Sequence, residues 1–116
     1  FISCVSLNDI ETSELLDVKK NRSPREYCWT LTSCFTWYIL DKDKMIDFIT
    51  YLDADLLFYS PIKPIFDEIK NSSIAIIEHR FPGWLKHLEI NGRFCVQWIS
   101  FRRDIEGMAC LSRWRE

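Results

Sequence analysis

Three apolar runs constrain this chain more than any other feature: MIDFITYL (Met45–Leu52), SIAIIE (Ser73–Glu78) and CVQWISFR (Cys95–Arg102). Each is rich in β-branched or aromatic residues and has the length of a strand rather than of a buried helix. Helix-start signals lie between them. Ser23 can cap, Pro24 fits the first helical position, and Glu26 stands where a capping box needs it. Tyr27, Leu31, Cys34, Phe35 and Tyr38 then recur at helical spacing. That spacing predicts a helix with one face on a core, fading at Asp41–Lys44. PIFDEIK (Pro64–Lys70) reads as a short helix, and Asp104 as the cap of a last one that runs towards Glu116. NDIETSELLDVKK (Asn8–Lys20) reads as another short helix, FISCVSL (Phe1–Leu7) as a strand, and His79–Arg93 as a loop with one helical turn. Strands alternating with helices predict an α/β sheet with helices on its faces. The three runs should share that sheet, with the Ser23–Leu40 helix packed on it.

A length of 116 residues bounds the chain to one small domain or one piece of a domain. Apolar content of 47%, with 15% aromatic, supports a core rather than a disordered tail. A formal net charge of −2 argues against a nucleic-acid backbone as the main partner, which needs a basic surface. No apolar run reaches the length of a transmembrane segment. The chain starts at Phe1 without a methionine, so an upstream region is expected. The cysteines are Cys4, Cys28, Cys34, Cys95 and Cys110, an odd number with no C-x-x-C pair. This argues against a zinc site or a disulfide framework and predicts reduced, mostly buried thiols in a cytoplasmic protein.

Asp53 and Asp55 follow the first apolar run, in ITYLDADLLFY. In an extended chain residues i and i+2 point to one side, so the two carboxylates can converge. They would repel each other unless a cation sits beside them. Hard oxygen ligands suit magnesium or manganese, completed by water and phosphate oxygens. The end of a strand is also where open α/β sheets bind ligands. A D-x-D tripeptide alone is weak, and its plain alternative is a solvated turn. The apolar residues on both sides argue here against an exposed turn.

The wider stretch ITYLDADLLFYSPIKPIFDEI resembles the D-x-D segment of nucleotide-sugar-dependent glycosyltransferases with the GT-A fold. It is most similar to the bacterial, family-8-like enzymes of surface-polysaccharide (lipopolysaccharide) synthesis. VSLNDIE, REYCWTLTS, IIEHRFP, WISFRRDIEGMACL and RWRE extend the resemblance over nearly the whole chain. It implies a Rossmann-like GT-A sheet, of which residues 1–116 would be the central part of one catalytic domain, truncated at both ends. It implies that Asp53 faces the ribose or sugar of the donor, directly or through a Mn²⁺ or Mg²⁺ ion, and that Asp55 is the main metal ligand. Gln97 would lie near the donor sugar. Where relatives commonly carry Asn-Val-Gly, this chain has Cys95, Val96 and Gln97, and Ser33 stands where they have proline. The implied donor is a nucleotide sugar, a UDP-sugar first, and the acceptor a saccharide or a lipid-linked one. The implied place is the cytoplasm, at the inner face of the membrane as a peripheral protein. Retention of configuration is suggested by the resemblance alone; no residue stands out as a general base.

Two rival readings stand beside this one. A haloacid-dehalogenase-like phosphatase also uses D-x-D at a strand end, but wants Thr or Val where this chain has Leu57, and wants the pair near the start. A catalytically inactive module that binds nucleotide sugars is compatible with Cys95 and Gln97. His79 and Arg80 follow the SIAIIE strand and can contact phosphate or acceptor there, as donor-binding candidates, Arg80 through its planar fork, or be ordinary polar loop residues. His87 reads as a surface residue, Arg25 as a solvated first-turn residue, and Arg102, Arg103, Arg113 and Arg115 as solvated surface. The scattered tryptophans Trp29, Trp37, Trp84, Trp98 and Trp114 read mostly as core, with Trp84 the least certain.

Overall fold

Antiparallel pairing organises the molecule. The computed structural model describes residues 2–116. Its elements run α1 (Leu7–Ile10), α2 (Ser13–Lys19), α3 (Pro24–Lys42), β1 (Phe48–Leu52), α4 (Lys63–Ile69), β2 (Ile74–Glu78), a 3-10 helix (Gly83–Asn91), β3 (Phe94–Arg102) and α5 (Ile105–Arg115). The sheet order is β1-β3-β2, and β3 pairs antiparallel with both neighbours. β1 and β2 therefore run the same way and end at the same edge. The β2–β3 register breaks between Ile76, opposite Ile99, and Ile77, opposite Cys95.

Several local signals act as the sequence implies. Ser23 caps α3, and its hydroxyl and the Glu26 carboxylate form the reciprocal capping box. Hydrogen bonds from the Ser23 hydroxyl and backbone hold the Glu26 carboxyl below its usual range. α3 stops at Lys42, inside the predicted fading segment. Asp104 caps α5 through the Gly107 N–H.

Other expectations are corrected. Residues 2–6 carry no strand; a capping box on Ser6 and Asp9 turns the chain into α1 instead. Residues 8–20 form parts of two helices, because Thr12 starts a new one. The segment read as a loop holds a nine-residue 3-10 helix. β1 and β2 are half-exposed edge strands, and only β3 is central. On α3 the buried positions are Tyr27, Ser33, Thr36 and Leu40, while Phe35 is exposed. Ser33 and Thr36 tolerate burial because their hydroxyls donate to the carbonyls of Thr30 and Thr32. No cysteine among the described residues is buried: Cys4 and Cys28 are exposed, the other three partly so.

Alternation along β3 sends its side chains to two layers. Ile99 and Phe101 meet Leu40 of α3 and Leu111 of α5, with Ile49, Tyr51, Trp37 and Trp114 packed around them. Leu40, Phe101 and Leu111 are fully buried, each contributing roughly 1.5–3 kcal/mol by burial. On the opposite face Trp98 meets Phe58 at 5.9 Å and Phe66 of α4 at 5.7 Å. There Thr50 and Ser100 share a 2.9 Å hydrogen bond. Helices thus lie on both faces, as the sequence predicts.

The sheet joins α5 through Gly107. A Cβ at that position would stand 2.1 Å from the Arg102 carbonyl oxygen and 2.9 Å from that of Ser73. The arginines beside it are not solvated surface. Arg103 donates to the carbonyls of Leu40, Asp43 and Ile46 at 2.5–2.7 Å and so closes the C-terminus of α3. Arg102 donates to the carbonyls of Ser72 and Lys70 beyond α4, and its guanidinium lies over the Phe48 ring at 5.0 Å.

Candidate functional site

β1 delivers Asp53 to the sheet edge and the chain then turns. The Asp53 N–H donates to the Gln97 carbonyl at 3.1 Å, continuing the β1–β3 ladder by one residue. Ala54 and Asp55 form a turn, with the Leu56 N–H reaching the Asp53 carbonyl at 3.4 Å. Asp55, Leu57, Phe58 and Tyr59 are exposed. The segment is an exposed turn after all, and the extended i, i+2 geometry does not hold. Its apolar residues do not bury it, because only Phe58 finds an aromatic partner in the sheet.

The two carboxylates differ. Asp53 is half-buried, and its Oδ1 accepts the Tyr51 hydroxyl at 2.7 Å. Tyr51 stands on the helix side of β1, edge-on to Trp114 at 6.4 Å. Burial, then the bond to Asp53, pushes its phenol above the ordinary range. Asp55 makes no side-chain hydrogen bond or ion pair among the described residues. One carboxylate is thus anchored and the other free; these are the two side chains of the turn with oxygens that could serve a hard cation. Among the described residues no three His, Cys, Asp or Glu side chains gather into one metal-holding group.

Gln97 lies opposite Asp53, and by alternation it shares the face of Ile99 and Tyr51. His79 does not join them. Its N–H bonds the Arg93 carbonyl at 3.0 Å, four residues further along β3 from Gln97. β3 lies between the two strands, so two spacings of about 4.8 Å, roughly 10 Å, separate the His79 backbone from that of Asp53. The His79 ring stacks on Phe81 at 4.7 Å.

Arg80 takes φ 48°, the one positive value at a non-glycine among the described residues. With Glu78, Lys86, Glu89 and Arg93 it lines a cleft of about 280 Å³. Arg93 is bonded within that cleft to Glu78 at 2.5 Å.

A groove of about 1070 Å³ lies between α2, α3 and the end of α5. Trp29, Trp37 and Trp114 line it, three residues that their spacing did not bring together. Arg115 lies over Trp37 at 4.7 Å. Only Trp98 of the tryptophans is buried; Trp84 is 75% exposed. Arg25 and His87 are exposed, as expected, and Arg113 pairs with Glu116. Sequence reasoning passed over Tyr51, although its position two residues before Asp53 on the same strand face was the signal that could have found it.

No family model matches the chain, and no solved structure matches it. Two curated proteins of Bacillus subtilis (strain 168) are similar to it. The uncharacterized protein YfnD is 30% identical over 116 residues, covering 99% of this chain and 37% of YfnD. The uncharacterized protein YfnF is 30% identical over 122 residues, covering 99% of this chain and 40% of YfnF. The chain thus spans well under half the length of these relatives. No helix among the described residues is long and apolar enough to cross a membrane.

Proposed function

We propose that the chain is the central part of a glycosyltransferase domain with a GT-A-like sheet, which moves a sugar from a nucleotide-diphosphate donor to an acceptor with a divalent cation. The observation that carries this is the turn after β1, where Asp53 is held by Tyr51 and by the ladder to Gln97 while Asp55 stands free. Asp53 and Asp55 would hold the Mn²⁺ or Mg²⁺ ion. A bound cation supplies positive charge at the departing diphosphate. Gln97, opposite Asp53, would contact the donor sugar. His79 and Arg80, after β2 at the same end of the sheet, would meet another part of donor or acceptor. A UDP-sugar is the donor class proposed, and the acceptor a saccharide or a lipid-linked one, met by a peripheral protein at the inner face of a membrane.

Asp55→Asn in the full-length protein tests the reading. The change keeps shape and removes the charge that holds a hard cation, so turnover should fall about a hundredfold to a thousandfold. Calorimetry with Mn²⁺ and a panel of nucleotide sugars, followed by an assay of nucleoside-diphosphate release, reads the effect. A variant that binds Mn²⁺ and turns over like the parent overturns the proposal. The second reading, an inactive module that binds nucleotide sugars, is favoured by Cys95, Val96 and Gln97 beside the turn. Metal-dependent donor binding without diphosphate release would select it.

A further inference from the structure

We propose that Tyr51 is a positioning residue for Asp53, and that its phenol fixes the carboxylate so that Oδ2 is the oxygen left for a divalent cation. This rests on the reading of the Asp53–Asp55 turn as a cation site. Three observations carry it. The hydroxyl donates to Asp53 Oδ1 at 2.7 Å in a part-buried contact. Among the described residues no other side chain or N–H donates to that carboxylate. The ring cannot swing freely, because it packs into the helix-side core and meets Trp114 edge-on at 6.4 Å. The Asp53 backbone is pinned separately by the Gln97 carbonyl. Backbone and side chain are thus fixed by different elements, whereas Asp55 has neither support on its carboxylate.

Hydrogen-bond partners behind a ligating carboxylate set its orientation, and removing one typically weakens metal affinity about tenfold to a hundredfold. Tyr51→Phe keeps the ring that packs on Trp114 and deletes only the hydroxyl, so the fold should persist. The experiment titrates Mn²⁺, alone and with uridine diphosphate, into the full-length protein and follows binding by electron paramagnetic resonance. Parent, Tyr51→Phe, Asp53→Asn and the double variant are compared, with Tyr59→Phe as control, since Tyr59 is 90% exposed.

Tyr51→Phe should bind Mn²⁺ about tenfold more weakly than the parent, and Tyr59→Phe like the parent. In the Asp53→Asn background the loss of the hydroxyl should add nothing, because the carboxylate it orients is gone. A merely structural tyrosine would instead give additive losses, and that result overturns the proposal. Equal affinity of parent and Tyr51→Phe also overturns it and leaves the cation site standing. A parent that binds no Mn²⁺ under either condition overturns the cation site itself, and the positioning role with it.

Discussion

At one end of β3, Arg102 and Arg103 reach back to close the ends of two helices, and Asp104 opens a third. Ser73 adds a hydroxyl bond to Asp104 at 2.7 Å, and the Arg102 N–H bonds the Ser73 carbonyl at 2.8 Å. At the other end, Asp53 has one hydroxyl and one ladder bond, Asp55 has none, and Arg80 holds a rare backbone conformation. The first end is cross-linked by bonds that span 30 to 63 residues. The second has few side-chain bonds: Tyr51 to Asp53, and the His79 ring on Phe81. Bonds of such long span make the first end fold as a unit with the core, while the second can change residues at little cost to the fold.

Substitutions at the two ends should therefore separate stability from activity. The largest loss of stability is expected from Gly107→Ala. Its methyl would meet the Arg102 carbonyl at 2.1 Å, so α5 must move off the sheet. A cost of about 3 kcal/mol is expected, read as a lower urea midpoint. Arg103→Met comes next. It keeps the aliphatic stem and strands the carbonyls of Leu40, Asp43 and Ile46, for a loss of about 2 kcal/mol in the same measurement.

Asp104→Ala sharpens the comparison through pH. The Gly107 N–H first, then the Ser73 hydroxyl, hold the Asp104 carboxyl below its ordinary value of 3.8. A carboxylate with a depressed folded pKa stabilises above its unfolded pKa and loses that contribution as pH falls through the folded one. The midpoint gap between parent and Asp104→Ala should be full at pH 6 and should narrow below about pH 4. Asp55→Asn sits at the small end of the scale, with a change within about 0.5 kcal/mol, because an exposed carboxylate without partners contributes little to the fold. A large loss there would erase the distinction between the two ends.

The elements legible in the chain are those whose signals lie within a few residues. Ser23, Pro24 and Glu26 act across three positions, Asp104 caps from three residues away, and each apolar run carries its own strand length. Ser6 and Thr12 were equally local, but the apolar residues of FISCVSL outweighed them, and the predicted strand there is absent. The D-x-D pair was legible as residues and not as geometry. Its flanking apolar side chains said burial, while the turn exposes them.

The sequence by itself determined the starts of α3 and α5 and the three apolar runs that become β1, β2 and β3, because capping and periodicity act between neighbours along the chain. Only the tertiary structure decided that β3 lies between two strands running the other way, and hence that Asp53 faces Gln97 while His79 lies four residues further along. It also decided that Arg103 meets the end of α3 and Tyr51 is held by Trp114. Those outcomes follow from register, which a one-residue slip would invert and which is fixed by the burial of Ile99 and Phe101 against α3 and α5.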